Sequence, residues 1–575
     1  MGFCSVCIVV ALQGVAALVA GQMEPYSPAR ALETFQHDPA VRVELVASEP
    51  LVMDPVALCF DARGQLFVVE NRGYPTDADG RGDVILLGDT DGDGQMDTRT
   101  VFAEGFDFPN GLMPWKGGVL LTCAPDVFYL ADTDGDGHAD VRENVLTGFA
   151  PGGSTQLRTS HPTLNVDGWI YFTNGLSGGN VRLPGAPETA AVKMGAMDLR
   201  WKPWDNRIET TAGQAQFGQA FDARGNKYVC SNRKHIEQVM LQPGDIARNP
   251  TLAQTSCVAQ IPDHEEAAKL FPVSDNVTTA YSHTGTFTAA CGLAIYRGTA
   301  LGPGFAGNAF VCDPTGNLVH RDVLDYTAGA AAVARRAYSD REFLASPDNW
   351  FRPVYLANGP DGALYLCDMY RKTIEHPVYL PPEIAAKTDF QSGRDMGRIY
   401  RFVAADAPPH GAPPVLAGLD TAALVAKLTA PNGWERDTAF RLLLEHGPSA
   451  YEAAARMLCR ERDPDACIFG LRLLAVAGAE CNAEIERALQ HRDPRVREAA
   501  TRLFAYPAIA PRALHRLLQD PDPSVQYHAV LAAAAMPATG RRSGEEPLAR
   551  DLAQLLIARA EDSWMTTAIL ASGPA

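Results

Sequence analysis

From residue 60 to residue 370 the chain keeps returning to one local pattern. A tight-turn signal, D-x-x-G or D-G, is followed by a run in which apolar and aromatic positions alternate with others. It occurs as "FDARGQLFVVEN" (Phe60–Asn71), "NVDGWIYFTNG" (Asn165–Gly175), "FDARGNKYVCSN" (Phe221–Asn232) and "GPDGALYLCDMY" (Gly359–Tyr370). Asp and Gly favour the turn, and the alternating run that follows reads as a strand. "GGVLLTCAPD" (Gly117–Asp126) and "NAFVCDPTGNLVHR" (Asn308–Arg321) fall between these runs and bring the set to six. Each is expected to be the inner strand of one blade. "GRIYRF" (Gly397–Phe402) is expected to close the ring. The fold class predicted is therefore mainly β plus α, a six-bladed β-propeller over about residues 40–405, with seven blades as the alternative.

The pattern then changes period. "AADAPPHGAPP" (Ala404–Pro414) has the composition of a linker. Beyond it Ala, Leu and Arg recur with helical spacing. "DPRVREAATRLF" and "DPSVQYHAVLAA" place Asp-Pro at a helix start, and Asp463, Asp493 and Asp522 recur about every thirty residues. "NGWERDTAFRLLL" from Asn432 and "EDSWMTTAIL" from Glu561 resemble further units. Residues 415–575 are read as HEAT-like repeats. The last breaks off in mid-repeat, as in a fragment of a longer protein.

Composition narrows the function. Over 575 residues the net charge is −18, which excludes nucleic acid and anionic membrane as main partners, since both need basic surfaces. Residues 1–22, "MGFCSVCIVVALQGVAALVAGQ", are apolar and end in small residues. They read as an export signal or an uncleaved membrane anchor, so the protein is expected in the periplasm or at the cell surface. Cys4 and Cys7 are followed by Ile8, so no haem attachment site is present, and no C-x-x-C-H occurs elsewhere. The other ten cysteines show no zinc spacing.

"DTDGDGQMD" (Asp89–Asp97) and "DTDGDGHAD" (Asp132–Asp140) start about 43 residues apart, one propeller blade. Carboxylates at loop positions 1, 3, 5 and 9 with Gly at 6 suit a hard cation that takes oxygen ligands, calcium above all. The candidate ligands are Asp89, Asp91, Asp93 and Asp97 in the first loop, and Asp132, Asp134, Asp136 and Asp140 in the second. Glu143 stands at position 12 of the second loop; Thr100 stands there in the first. A structural role is expected for both ions.

An exported chain with D-x-D-G-D-G loops, "HPTLNVDGWIYFTNG", "FRPVYLANGPDGALYLCDMY", "GRIYRF" and HEAT-like repeats resembles the large membrane-bound dehydrogenases of planctomycetes and verrucomicrobia. A c-type cytochrome often follows the repeats in that family, so here a cytochrome or another protein would be a partner docking on the solenoid. The propeller is similar to the soluble glucose and sorbosone dehydrogenases, which use pyrroloquinoline quinone. The resemblance implies His161, just before "DGWIYF", as the base that takes a proton from a substrate hydroxyl. It puts Gln214, in "GQAQFG", where those enzymes carry a quinone-binding arginine. Arg158, Arg352 and Arg371 are the candidates to compensate, with Asp368 beside them.

Two readings from different classes follow, and a third is weaker. The first is an exported oxidoreductase acting on a sugar or alcohol with a quinone cofactor. The second is a non-catalytic carbohydrate-binding or scaffold protein whose solenoid binds another protein, which Gln214 favours. The third is a propeller lactonase with calcium in its channel, for which no separate carboxylate constellation is visible.

Overall fold

The computed structural model describes residues 24–264, 268–274, 285–408, 411–503, 511–535 and 545–572. The N-terminal apolar segment lies outside the described residues.

Six antiparallel sheets form a ring. Blades 1 and 2 start at Pro55 and Gly111, blades 3 and 4 at Thr163 and Gln219, and blades 5 and 6 at Cys291 and Pro353. First strands touch around the axis between blades 1 and 2, 4 and 5, 5 and 6, and 6 and 1. The ring is closed by the start of the chain. Val41–Ser48 pairs with Arg398–Ala404 and becomes the outer strand of blade 6, from Val41 opposite Ala404 to Ser48 opposite Arg398.

The six repeated runs are indeed one per blade, but they are second strands. Leu66–Asn71, Gly118–Cys123, Ile170–Phe172, Lys227–Ser231, Ala309–Asp313 and Leu364–Asp368 each pair with an inner strand that precedes the turn signal. The inner strands escape the pattern because the turn signal follows them instead of preceding them, and two are very short, Thr163–Leu164 and Gln219–Phe221. The turns are built as expected. Asp61 Oδ1 accepts from Arg63 N and Gln65 N, and Asp222 Oδ1 from Arg224 N and Asn226 N, while Gly64 and Gly225 take φ of +81° and +85°. Cys123, Cys230, Cys312 and Cys367 sit at matching places on the second strands, all buried and unpaired.

This topology gives the ring two unlike faces. The D-x-x-G turns and both acidic loops, between third and fourth strands, lie on the lower face. Segments entering the inner strands, including His161, lie on the upper face.

The helical region covers the lower face. Helices Gly433–His446, Pro464–Val476, Pro494–Arg502, Pro523–Ala535 and Ser563–Ala571 form the layer that meets the propeller. Each is capped as its sequence suggests: the side chains of Asn432, Asp463, Asp493, Asp522 and Asp562 accept from backbone N–H groups in the first turn. Arg297 of blade 5 grips Asp437 with two bonds of 2.8 and 2.9 Å. Arg224 meets Glu498 at 3.0 Å, Arg472 donates to Ala223 O at 3.0 Å, and the buried Tyr527 hydroxyl donates to Met240 O at 2.8 Å. Among the described residues, no helix is long and apolar enough to cross a membrane.

Candidate functional site

His161 stands on the axis of the upper face. Parts of three other blades reach it: Gly111 of blade 2 is packed against its backbone N, Phe217 and Gln219 come from blade 4, and Tyr355 from blade 6. Both ring centroids lie 4.9 Å from the imidazole. The residue is only 4% exposed and has φ of +51°, a left-handed conformation that costs a non-glycine residue energy and is held by its surroundings. Gln219 Nε2 donates to its carbonyl at 2.8 Å, and Thr163 Oγ1 at 2.9 Å.

The ring itself is held from one side. Nδ1 is 2.8 Å from Ser160 Oγ, which is in turn 3.0 Å from Thr173 Oγ1. Nε2 is buried and has no hydrogen-bond partner among the described residues. Burial without a nearby carboxylate pushes the imidazole down to about 3, so it is neutral over the whole physiological range. A neutral imidazole with one nitrogen anchored and the other unclaimed can accept a proton from a ligand hydroxyl.

The cofactor candidates are placed differently. Arg352 lies beneath the upper face with Nε, Nη1 and Nη2 donating to the carbonyls of Arg371, Pro314 and Lys372 at 3.0, 2.7 and 2.6 Å. Burial lowers it to about 10. Arg371, fully buried, forms a two-bond pair with Asp54 and donates to Tyr74 O and Phe390 O. Asp368 accepts from Arg352 N and Tyr370 N through one oxygen, and burial raises it to about 7. Gln214 is exposed. Both arginines thus brace the loops that join second to third strands, where buried backbone carbonyls need donors. Arg158 differs: it is buried, stacks over Phe108 at 4.8 Å, and its Nε has no partner.

Other polar residues of this face are also woven into the fold. Glu70 pairs with Arg99 through bonds of 2.5 and 2.9 Å, Asn174 Nδ2 donates to Gly195 O and Met197 O, and Tyr370 donates to Asp348.

In the acidic loops, oxygens of Asp89, Asp91 and Asp97, and of Asp132, Asp134 and Asp136, lie within 4.8 Å of one another. Asp93 and Asp140 are outside these groups. Asp93 Oδ1 accepts from Gln95 N at 2.7 Å, and Asp140 is turned to Thr133 N and Oγ1. Glu143 is no part of the second group either: it lies exposed on the following strand, Val141–Phe149, opposite Tyr129. An extended strand carries position 12 away, whereas the helix of an EF-hand would bring it back. The spacing of the loops has an architectural answer. Met96 N donates to Val46 O of blade 6 and Ala139 N to Phe102 O of blade 1, each at 2.7 Å. Each loop therefore ties its blade to the one before.

Sequence reasoning missed Ser160, Phe217, Gln219 and Tyr355, whose roles follow only from blades meeting on the axis. It also missed a cluster formed by His235, His264, His320 and Asp322. Those residues are dispersed in the chain with no ligand spacing.

A family model for a domain of unknown function matches residues 27–406, the closing strand and the whole ring. The chain belongs to the DUF7133 family. The chain is distantly similar to several solved structures. The pyranose dehydrogenase PQQ domain from Coprinopsis cinerea is 13% identical, with 64% of this chain and 97% of that one covered and a TM-score of 0.37. An oxidoreductase assigned as a glucose dehydrogenase, from Thermus thermophilus, is 18% identical over 63% and 100%, with a TM-score of 0.37. A luciferin-regenerating enzyme is 10% identical over 65% and 99%, with a TM-score of 0.38. No curated protein matches the chain.

Proposed function

We propose that this DUF7133 protein is an exported, oxidoreductase-like propeller that takes a sugar or alcohol at the upper mouth of its axis, with His161 as proton acceptor. One observation carries the reading: the buried, neutral imidazole has its Nδ1 fixed by Ser160 and its Nε2 unclaimed among the described residues. Its left-handed backbone fits a functional position better than a packing one. The resemblance to the planctomycete and verrucomicrobial dehydrogenases supplies the substrate class and the expectation of export.

Pyrroloquinoline quinone carries three carboxylates and needs cationic donors. Of the residues nominated for it, Arg158 alone keeps a buried guanidinium nitrogen without a hydrogen-bond partner among the described residues, and the others do not fit. The Arg352 and Arg371 guanidiniums are engaged by backbone carbonyls and Asp54, and Gln214 is neutral and exposed. No step is assigned to a quinone, and the electron acceptor is left to another cofactor or a partner such as a c-type cytochrome. That partner would meet the outer layer of helices, because the inner layer lies on the propeller. Calcium fits better: three convergent carboxylates in each acidic loop would hold a structural ion where consecutive blades join.

A second reading, carbohydrate binding without turnover, is favoured by the same engaged arginines. Purified full-length protein with calcium is titrated with sugars and alcohols by calorimetry, then assayed for dye reduction with and without added pyrroloquinoline quinone. Turnover lost in His161→Gln supports the oxidoreductase reading. Binding without turnover under either condition moves the conclusion to recognition alone, and no binding removes both.

A further inference from the structure

Away from the axis, where blade 4 meets blade 5, three imidazoles and a carboxylate converge. His235 starts the third strand of blade 4, Lys234–Val239, and His264 follows that blade's last strand, Val258–Gln260. His320 and Asp322 lie two residues apart on the third strand of blade 5, Leu318–Asp325, and so face the same way. All three Nε2 atoms aim at one carboxylate. His235 Nε2 is 2.9 Å from Asp322 Oδ2, while His320 Nε2 and His264 Nε2 are 3.0 and 3.8 Å from Oδ1. Ring centroids are 5.2, 5.2 and 5.6 Å apart, and the four donor atoms lie within 4.8 Å of one another.

The outer contacts fix what these nitrogens can do. His320 Nδ1 is 2.7 Å from Glu342 Oε2, and His264 Nδ1 is 2.8 Å from Asp263 Oδ1. With the N–H on Nδ1, facing that carboxylate, Nε2 of His320 and of His264 can offer its lone pair to a cation seated beside Asp322. Without a cation, hydrogens on Nε2 of His235 and His320 donate to Asp322, and a bound metal ion would take their place. His264 Nε2 is buried with no hydrogen-bond partner among the described residues. Phe287 lies flat against His235, at 4.5 Å and 9°.

We propose that His235, His264, His320 and Asp322 form a structural zinc site that clamps blade 4 to blade 5. Three imidazole nitrogens and one carboxylate oxygen are a complete tetrahedral set for zinc, and nitrogen-rich donors select against calcium and magnesium. Glu342 and Asp263 act behind the ligands, as carboxylates do behind metal-bound histidines. The His235, His320 and Asp322 side chains are buried to within 1% and the His264 side chain is 15% exposed, so the His264 loop is the way in. With four protein ligands, no position is left for substrate, which makes the ion a clamp.

The test uses the full chain, purified without a metal-affinity tag, stripped with chelator and held in saturating calcium so that the acidic loops do not compete. Zinc uptake is measured by equilibrium dialysis, and cobalt(II) is added as a spectroscopic probe. The expected result is a single equivalent of zinc, an intense tetrahedral cobalt absorption, and a higher melting temperature with zinc. His264→Gln, a change at the exposed edge that leaves the buried residues in place, should abolish the cobalt band. Glu342→Gln should weaken zinc binding by about 10–100-fold. A folded protein that takes up no zinc overturns the proposal. So does a cobalt spectrum that is weak and octahedral, or one unchanged in folded His264→Gln.

Discussion

The upper face carries two histidine environments that differ in one respect, and the difference decides what each can do. Around His161 are aromatic rings and hydroxyls: Phe217, Tyr355, Ser160 and Thr173. Among the described residues no carboxylate touches it, and burial sets its state. Around His320 are Asp322 and Glu342, at 3.0 and 2.7 Å. Both rings are almost fully buried. In the apolar setting a lone imidazole is a neutral acceptor. In the anionic setting several imidazoles become a cation trap. Both follow from burial, and the neighbours supply the sign.

Deleting each histidine separates the two settings most sharply. His320→Ala leaves Glu342 Oε2 and Asp322 Oδ1 buried without their imidazole. Breaking a buried charged pair from one side costs about 3–5 kcal/mol, and more should be lost in zinc than without it. His161→Ala removes ring packing and one neutral hydrogen bond, for about 1–2 kcal/mol. Urea denaturation of the two variants checks the order. Equal losses would mean that the carboxylates around His320 are not held as charges.

How legible this was in the sequence depends on whether a feature is local. The blade count was readable because each second strand follows its own turn within a few residues, as Asp61–Gly64 precedes Leu66–Asn71. The acidic loops were readable for the same reason, but Glu143 was misplaced because loop position says nothing of the strand that follows. Helix starts at Asp463, Asp493 and Asp522 were legible because capping is local chemistry. His161 was picked by a motif. Its partners were not, since Gly111, Gln219 and Tyr355 meet it only after the ring closes. The zinc cluster was invisible because its ligands come from two blades and a loop. Arg352 and Arg371 were overvalued, since sequence shows a charge and not the carbonyls that claim it.

The lower-face loops test a third setting, oxygen donors alone. Asp132→Ala with Asp134→Ala should remove most calcium-dependent stabilisation from the second loop. An ion at a hundred times its Kd stabilises by about 2.7 kcal/mol. Differential scanning calorimetry with calcium and with chelator should show the gap in melting temperature narrow in the double variant. A gap as wide as in the parent protein would take calcium away from this loop. Zinc should leave that gap unaltered.

The pH response sharpens the axial site. His161 in the unfolded chain takes a proton near its ordinary value of about 6.5, and in the native protein only near 3. The unfolded state therefore binds more protons between these values. The stability owed to this residue is present above 6.5 and lost as pH falls. Lowering pH from 7 to 5 should cost the parent about 2 kcal/mol more than His161→Gln, which has nothing to protonate there. Parallel stability curves for the two proteins would mean that the imidazole is reached by water.

The smallest effect discriminates most finely, because it leaves His161 in place. Ser160→Ala removes the hydroxyl at Nδ1 while Phe217 and Tyr355 still confine the ring. Stability should fall by about 1 kcal/mol, the worth of one hydrogen bond. If His161 is a proton acceptor, freeing Nδ1 lets the N–H move to Nε2, the nitrogen that must be empty to act. Turnover should then drop about tenfold with KM nearly unchanged, since the tautomer affects the reacting nitrogen and not the shape of the mouth. Ser160→Thr keeps the hydroxyl and should restore most of the rate. A binding-only site gives a different outcome: ligand affinity moves with stability in Ser160→Ala, and Ser160→Thr restores nothing beyond it.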